Sequence, residues 1–289
     1  INMMRKKPML AYPVSDKPID YDNKISMQPK LDGVRCVIQY ERRVQPREDV
    51  VVAYSRTGKE WKNIDHILFN LKPWFQLNPN VILDGELYNH DLRDDFETII
   101  SLVRRQTPDD IDMIESREMV QFHCYDIIHP DNSPFEDRNR FVKHCVEQSS
   151  PYVHTVSTLQ CVDDEDAKEI HAVNLACGFE GSILRTNDVY HQKRTHSLRK
   201  FKDFKDAEAL IVDWVEGVGK RKGTIGKFMA QDEDGNLFGM PVMDNFKYLQ
   251  DYFKTMQGYV GKTATFTYFE RTKANSYRHP LFKCIRDYE

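Results

Sequence analysis

The segment Lys30-Leu31-Asp32-Gly33-Val34-Arg35 places an amine, a carboxylate and a guanidinium within six residues. A lysine amine becomes nucleophilic once its pKa, ordinarily ~10.4, is lowered, and an arginine fork binds phosphate oxygens through paired hydrogen bonds. The competing interpretation is a β-turn, because Asp-Gly before an alternating strand is a hairpin signal. Taken alone, the segment is compatible with chemistry and with simple structure.

Five further segments with chemically useful side chains follow in order along the chain. They are Ser55-Arg56-Thr57-Gly58, Leu83-Asp84-Gly85-Glu86-Leu87, Phe122-His123-Cys124-Tyr125-Asp126, Glu180-Gly181-Ser182-Ile183-Leu184-Arg185 and Leu198-Arg199-Lys200-Phe201-Lys202. Together the six segments offer a nucleophile, acids for a metal ion, an aromatic ring for stacking and several cations. Nucleotidyl transfer needs this set, because the reaction depends on positioning and on charge stabilisation at phosphorus.

In their order and spacing the six segments resemble the motifs of the covalent nucleotidyltransferase superfamily, which contains ATP-dependent DNA ligases, RNA ligases and mRNA capping enzymes. The resemblance implies that Lys30 attacks the α-phosphate of the nucleotide, forms a phosphoramidate and releases pyrophosphate. Lys200 and Lys202, together with a divalent cation, would lower the pKa of Lys30 through like-charge repulsion. The resemblance implies that Arg35, Arg56 and Arg185 face phosphates. Arg35 is also expected to be catalytic, and Arg35 and Arg56 are expected to contact DNA.

The same resemblance assigns the residues around the nucleoside. Glu86 would accept a hydrogen bond from a ribose hydroxyl, and Tyr125 would stack on the nucleobase. Gln28 stands where related enzymes read the adenine exocyclic amine, often with Glu. An amide both accepts and donates hydrogen bonds, so the reading of the base by Gln28 stays open. The ordinary alternatives are surface charge for Glu86 and a core position for Tyr125.

The metal ligands are expected among three acids. The resemblance implies that Glu180 holds Mg²⁺, or Mn²⁺, usually through water, because Mg²⁺ dehydrates reluctantly. Asp32 and Asp84 stand beside the nucleophile by motif position, and they would order the 3′-hydroxyl side of a nick and a metal ion there.

Two segments favour DNA ligases within the superfamily. Residues 94–105 have an acidic start and a paired-arginine end, which resembles the helix after the third motif of DNA ligases. Arg278-His279-Pro280-Leu281-Phe282 resembles the C-terminal motif of short phage and bacterial DNA ligases, and this motif orients the departing pyrophosphate. Which residue does so here is open between Arg271, Arg278 and Lys283.

ATP is the expected nucleotide donor. NAD-dependent ligases carry an extra N-terminal domain and a zinc-binding segment, whereas only 29 residues precede Lys30 and the cysteines form no cluster. We therefore expect a minimal ATP-dependent DNA ligase: Lys30 takes AMP from ATP, AMP passes to the 5′-phosphate of a nick, and the 3′-hydroxyl displaces it. An RNA ligase or a capping-type nucleotidyltransferase is the first alternative. A non-catalytic OB-containing nucleic-acid-binding protein with a relic nucleotide site is the second.

Charge is distributed unevenly along the chain. Fifteen acids stand against four arginines over residues 84–137, whereas eleven bases stand against six acids over residues 185–227. A phosphate-rich partner favours the basic stretch, although a solvated face explains the charge as well. Within that stretch, Lys220, Arg221 and Lys222 lie in a glycine-rich turn that lacks the Gly-Lys-[Ser/Thr] ending of a phosphate-binding loop. We expect this turn to contact a DNA backbone.

The elements that must position these residues follow a mixed pattern. Short β-branched or aromatic runs predict strands at 34–40, 50–54, 81–83, 120–125, 181–184 and 210–215, with hairpins beyond 202. Helical spacing occurs at 61–71, 96–103 and 163–178. Strands outnumber helices without regular alternation, which predicts an α+β fold with antiparallel sheets and flanking helices. We expect an adenylyltransferase domain over 1–203 and a C-terminal OB-fold β-barrel over 204–289.

Composition sets the remaining expectations. The chain has 289 residues, 40% of them apolar and 30% charged, and no apolar run approaches the roughly 18 residues of a membrane helix. No secretory signal is evident, so we expect a protein of the cytoplasm, in a bacterium or a phage-infected host, without membrane association. We further expect it to be a monomer and to act on nicked duplex DNA. The six cysteines, without a Cys-x-x-Cys pair, are expected to be reduced core thiols.

Overall fold

The computed structural model describes residues 5–44, 47–243 and 246–289, and the chain divides into two units. The first unit extends to Phe201 and also includes Glu289, and the second comprises Lys202–Tyr288. This division lies close to the boundary expected at 203/204. The activity assigned to each unit stays a prediction.

The first unit contains two five-stranded sheets with flanking helices. The strands in its described residues are β1 Leu10–Pro13, β2 Ile25–Lys30, β3 Val34–Val44, β4 Arg47–Tyr54, β5 Ile82–Tyr88, β6 Gln121–Ile128, β7 Val153–Thr155, β8 Leu159–Cys161, β9 Gly181–Thr186 and β10 Arg194–Phe201. Its five α-helices are α1 Asp65–Leu77, α2 Phe96–Val103, α3 Asp110–Met119, α4 Phe135–Phe141 and α5 Asp164–Ala176. One sheet has the order β1-β10-β9-β2-β8 and the other β4-β3-β5-β6-β7. Only the β1–β10 and β6–β7 pairs are parallel among the strand pairs of the described ranges.

The second unit is built on an antiparallel five-stranded sheet. Its elements are β11 Lys205–Glu216, β12 Ile225–Gln231, β13 Leu237–Pro241, α6 Phe246–Lys254, β14 Thr263–Tyr268, β15 Glu270–Arg271, β16 Tyr277–Arg278 and β17 Leu281–Ile285. The sheet has the order β13-β12-β11-β14-β17, and β15 and β16 form a separate hairpin. Phe228, Phe266 and Met240 lie at the centre of its core. The strands beyond residue 202 and the α+β class agree with expectation, and closure of the sheet into a barrel stays a prediction.

The helix expected at 61–71 begins later than its apolar spacing indicated. Helix α1 starts at Asp65, and its buried residues are Ile67, Leu71 and Phe75, whereas Leu68 is only partly buried. Trp61 is buried ahead of the helix, where its indole Nε1 donates to the Arg35 carbonyl at 3.1 Å. Its burial therefore comes from tertiary packing and not from a helical repeat.

Two of the six cysteines correct the expectation of core thiols. All six are free, but Cys145 and Cys177 are exposed, whereas the other four are buried. None of the helices in the described parts of the chain is long and apolar enough to cross a membrane.

The two faces of the sheet containing β3, β5 and β6 have different neighbours. Tyr40 of β3 stacks on Phe75 of α1 at 6.3 Å between ring centroids, so the even-numbered residues of β3 face this helix. Arg35 therefore points to the opposite face, because successive side chains of a strand alternate. Its cross-strand partner is Glu86, and Asp84 pairs likewise with Val37, so these acids share the face of Arg35. The motif side chains thus lie away from α1.

Gly85 allows β5 and β6 to approach closely behind these acids. A Cβ atom at this position would lie 2.2 Å from the carbonyl oxygen of His123 and 2.7 Å from the ring of Phe122. Neither group can move without disturbing the sheet. The glycine of this motif is therefore required by packing.

We expect Gly85→Ala to lower the free energy of unfolding by about 3 kcal/mol, because the methyl group overpacks a rigid site. The matched control is Gly178→Ala, whose Cβ would meet only the movable Arg93 side chain and whose backbone φ is +87°. The control should lose about 1 kcal/mol from its left-handed backbone. Urea denaturation measures both values, and equal losses would contradict the steric explanation.

Candidate active site

Lys30 and Glu180 meet at the end of the β2–β9 ladder. Lys30 is the last residue of β2 and pairs with Gly181, the first residue of β9. The Glu180 N–H donates to the Lys30 carbonyl oxygen at 3.2 Å, which holds the two residues side by side. Lys30 Nζ lies 2.9 Å from Glu180 Oε2, with exposed side-chain fractions of 23% and 16%. Two motifs separated by 150 residues thus form one ion pair that solvent can reach.

The Glu86 carboxyl has a shifted pKa. Burial raises the pKa of Glu86 from 4.5 to about 7, although the charges of Lys30 and Arg35 oppose the shift. The Tyr125 hydroxyl donates to Glu86 Oε1 at 2.9 Å. The predicted ribose-binding acid and the predicted base-stacking ring are therefore direct neighbours before any nucleotide is present.

A β-bulge explains how Tyr125 and Asp126 both reach this face. Asp84 pairs with Asp126 and Gly85 pairs with Cys124, which leaves Tyr125 as the extra residue of β6. Consecutive residues of a regular strand point to opposite faces, whereas a bulge redirects one of them. Tyr125 contacts Glu86 for this reason, while Asp126 lies opposite Asp84.

Asp84 holds Arg35 by two hydrogen bonds. Arg35 Nε lies 2.6 Å from Asp84 Oδ1 and its terminal Nη2 lies 2.7 Å from Oδ2. Asp84 is fully buried, and Oδ2 also accepts the Tyr190 hydroxyl at 2.6 Å. Burial lowers the pKa of Arg35, but Asp84, Tyr125 and Tyr190 together outweigh this effect, with Asp84 contributing most, so the pKa lies well above its ordinary value. With both oxygens engaged, Asp84 anchors an arginine here, and its expected role as a metal ligand stays a prediction.

Asp126 holds two further arginines in the same way. Arg138 Nε lies 2.8 Å from Asp126 Oδ1, and Arg185 Nη1 lies 2.9 Å from Oδ2. Arg185 is only 3% exposed, and its Nε donates to Gln28 Oε1 at 2.7 Å. Buried in this way, Arg185 supports Gln28 and Asp126, and the phosphate contact that its motif suggested stays a prediction. Arg138 lies outside the motifs, and the sequence carries no signal for it beyond a charge in a short amphipathic helix.

Gln28 is also fully engaged within the protein. Its Nε2 donates to the Tyr125 carbonyl at 3.2 Å and to the Thr158 hydroxyl at 3.0 Å, and the residue is 2% exposed. The three contacts fix the orientation of the amide, because the opposite orientation would place its NH₂ against the Arg185 donor. In this arrangement Gln28 ties β2 to β6, and its contact with adenine stays a prediction.

The remaining predicted residues take separate places. Lys200 of β10 and Gln28 of β2 both pair with Ile183 of the strand between them. Asp32 follows β2 in the turn that leads to β3. Lys202 belongs to the second unit, where its Nζ lies 2.7 Å from Asp206 Oδ2.

Arg56 and the basic residues of the second unit lie in turns. Arg56 follows β4 in the turn in which the Gly58 N–H donates to the Ser55 carbonyl. Lys220, Arg221 and Lys222 are exposed between β11 and β12.

The candidates in the C-terminal motif differ in their contacts. Arg271 Nη2 donates to Asn275 within its own hairpin and its guanidinium lies 4.2 Å from the Tyr277 ring centroid, so it stabilises the turn. Arg278 pairs with Glu270 at 2.7 Å. Lys283 lies on β17. The choice among the three for orienting pyrophosphate stays open.

The family model described as the ATP dependent DNA ligase domain matches residues 8–202, which carry all of the first unit's motifs. The chain belongs to this family. A DNA ligase of African swine fever virus is 28% identical over 210 residues, which cover 69% of this chain and 46% of the viral protein. The chain thus spans about half the length of the viral relatives. A DNA ligase of Haemophilus influenzae is 21% identical over 79% of this chain and 75% of its own length.

Solved ligase structures share the fold of this family member. A Lig E DNA ligase is 23% identical and superposes with a TM-score of 0.55, covering 98% of this chain and 100% of its own. The bacteriophage T7 ATP-dependent DNA ligase, solved with ATP, is 18% identical with a TM-score of 0.53 over 97% and 98% of the two chains. These similarities extend over both units and confirm the expected α+β class with antiparallel sheets, whereas closure of the second unit's sheet into a barrel stays a prediction.

The raised pKa of Glu86 predicts a pH-dependent gain from Glu86→Gln. The folded protein binds the Glu86 proton more tightly than the unfolded chain does, so wild-type stability falls as pH rises from about 4.5 to 7. A neutral glutamine avoids this loss. Relative to wild type, the variant should gain on the order of 3 kcal/mol between pH 4.5 and pH 8.

Urea denaturation at a series of pH values measures this gain. Glu115→Gln, which replaces an exposed acid of α3, is the control, and it should stay within about 0.5 kcal/mol of wild type. Parallel pH profiles for wild type and Glu86→Gln would show that Glu86 is not buried as a shifted acid.

Proposed function

We propose that the chain seals nicks in duplex DNA with ATP as the nucleotide donor, through a covalent lysyl-AMP intermediate. The observation that carries the proposal is the grouping of Lys30, Glu180, Glu86, Tyr125 and Arg35 within the matched ligase domain. Lys30 pairs with Glu180, the Tyr125 hydroxyl donates to Glu86, and the Arg35 guanidinium lies 5.4 Å from the Tyr125 ring centroid. Nucleophile, acids, ring and guanidinium come from four separate segments of the chain. A fold that needed only a stable core would not require this combination at one place.

The first step follows from the geometry around Lys30. Its ammonium must leave Glu180 and lose a proton before the nitrogen lone pair can attack the α-phosphorus of ATP. The N–P bond then forms as the bond to pyrophosphate breaks. Arg35 stays protonated beside Asp84, so a fixed positive charge remains next to the phosphate during the transfer.

The nucleoside would occupy the face formed by Tyr125 and Glu86. The Tyr125 ring offers a stacking surface, and Glu86 offers a carboxylate oxygen to a ribose hydroxyl once it is ionised. The Gln28–Arg185–Asp126 network lies directly behind Tyr125 and fixes its backbone. Nucleotide binding thus places few demands on side-chain reordering, which favours a prepared site.

Glu180 and Asp32 are the acids that suit a divalent metal ion. Their carboxylate oxygens match the ligand preference of Mg²⁺, which would neutralise phosphate charge when bound. The described ranges contain no group of three or more His, Cys, Asp or Glu side chains arranged to hold a metal ion. Binding through water and through substrate phosphates is therefore the mode that fits these residues.

The second unit would contribute to DNA binding through its basic turn. Lys220, Arg221 and Lys222 are exposed, and no ion pair is recorded for them among the described residues. These side chains therefore have no ion pair within the protein to break when they contact phosphates. The acid-rich stretch 84–137 would repel DNA wherever its carboxylates are exposed, as on α3.

Lys30→Ala tests the covalent step. It should abolish the label that denatured protein retains from [α-³²P]ATP and Mg²⁺, and it should abolish sealing of ordinary nicks, because no other group forms the N–P bond. Sealing of nicks that already carry 5′-AMP should survive in part. Lys24→Ala is the matched control, since it removes the Lys24–Glu136 ion pair before the other end of β2.

The same assay separates the alternatives. Retention of label by Lys30→Ala would refute the assignment of the nucleophile, and a wild-type chain without label would support a non-catalytic binding protein. Nicked RNA is assayed beside nicked DNA, because an RNA ligase distinguishes its substrate by the 2′-hydroxyl and the A-form shape. Faster sealing of RNA would favour the RNA ligase alternative.

Replacing Lys220, Arg221 and Lys222 together with alanine tests the second unit. The slope of log K for nicked DNA against log salt concentration should fall by up to about 2.7, at ~0.9 for each lost phosphate contact. Self-adenylylation should change little. Lys168→Ala on α5 is the control and should leave the slope unchanged. A parallel fall in both activities would show that the turn serves the nucleotide site or the fold.

A further inference from the structure

A ring of four hydrogen bonds joins Asp84 to distant parts of the first unit. The Tyr190 hydroxyl donates to Asp84 Oδ2 at 2.6 Å and accepts the Met9 N–H at 2.8 Å. Arg35 Nη2 closes the ring, because it lies 2.7 Å from Asp84 Oδ2 and 2.8 Å from the Met9 carbonyl oxygen. Tyr190, Met9 and Asp84 are 4%, 2% and 0% exposed, so water does not compete for these bonds.

The ring leaves one edge of Arg35 towards the site. Nη2 is bonded within the ring and Nε donates to the other oxygen of Asp84, Oδ1, whereas Nη1 makes no hydrogen bond within the described part of the chain. The side chain is 15% exposed, and its guanidinium carbon lies 5.4 Å from the centroid of the Tyr125 ring. The free edge is thus next to the surface proposed to hold the nucleoside.

Asp84 alone does not determine where this edge points. A two-bond carboxylate pair fixes the plane of the guanidinium relative to Asp84, but the pair can still shift as a unit across the sheet face. Tyr190 and Met9 belong to the region of the other sheet, around β1 and the start of β10. Their bonds therefore tie the pair to two segments that adjoin the strands of the other sheet.

We propose that Tyr190 is a positioning residue, which sets the direction in which Arg35 presents its free edge to a phosphate. This inference rests on the proposed function. Tyr190 lies outside the sequence motifs, between the segments that end at Arg185 and begin at Leu198. Its aromatic ring packs in a buried cluster with Met9 and Leu198, whereas its hydroxyl makes the bonds to Asp84 and to the Met9 N–H.

Tyr190→Phe removes the hydroxyl but keeps the aromatic side chain. Single-turnover adenylylation and sealing are both measured in Arg35→Lys, and the reaction that this variant slows more is taken as the Arg35-dependent step. Tyr190→Phe should slow that step about tenfold, because it removes one hydrogen bond to a charged group. Tyr21→Phe is the matched control, because its hydroxyl donates to Asp164 at 2.7 Å away from the motif residues. The control should stay within about twofold of wild type, as surface changes do.

A double-variant cycle distinguishes positioning from general stability. Arg35→Lys keeps a cation beside Asp84 but has no second edge to present. If Tyr190 acts through Arg35, adding Tyr190→Phe to Arg35→Lys should slow the step by no more than about twofold. Multiplied defects would overturn the inference.

Hydrogen exchange of the Met9 amide provides a readout independent of activity. Exchange in residues 8–11 should accelerate in Tyr190→Phe, and remain at the wild-type rate in Tyr21→Phe. Unchanged exchange in Tyr190→Phe would refute the ring itself. Accelerated exchange in a protein whose wild-type form acquires no label would refute the proposed function and the role of Tyr190 in it, and leave only a structural ring.

Discussion

Two carboxylates buried opposite each other, Asp84 on β5 and Asp126 on β6, are the constraint on which the first unit depends. They form a directly paired position of the sheet, and both are 0% exposed. Like charges in such a position repel, and burial makes each one costly unless it is paired. Arg35, Arg138 and Arg185 supply the compensating charges. The interior of the site is therefore held by ion pairs whose loss on one side would leave an uncompensated charge.

This arrangement separates the charged groups of the site into two layers. The inner layer contains Asp84, Asp126 and Arg185, whose polar atoms are bonded to other parts of the protein. The outer layer contains Lys30 and Glu180, which solvent reaches, and the free edge of Arg35. Glu86 lies between the layers, and burial raises its pKa to about 7. Outer groups can change partners during a reaction because the inner groups do not have to move.

The bulge at Tyr125 connects the two layers. Because one extra residue is inserted in β6, Asp126 remains opposite Asp84 in the inner layer while Tyr125 contacts Glu86. The β3–β5–β6 sheet can therefore support the arginines and present an aromatic ring on the same face. A regular strand would have directed one of these two residues towards α1.

The sequence by itself determined the identity of the main motif residues, the α+β class and most of the strands. These features depend on residue type and short spacing, as in Lys30-Leu31-Asp32-Gly33, the apolar run of β5 or the Asp163 cap of α5. Tertiary structure alone decided which charges are buried. Asp84 and Glu180 are both acids in motifs, but Asp84 is fully buried beside Arg35, whereas solvent reaches Glu180 beside Lys30. It also decided the roles of Arg138 and Tyr190 and the burial of Trp61, which follow from contacts between residues far apart in the chain. The physical reason is that periodicity reports the environment along one element, whereas the pairing of a buried charge depends on strands and loops that only folding brings together.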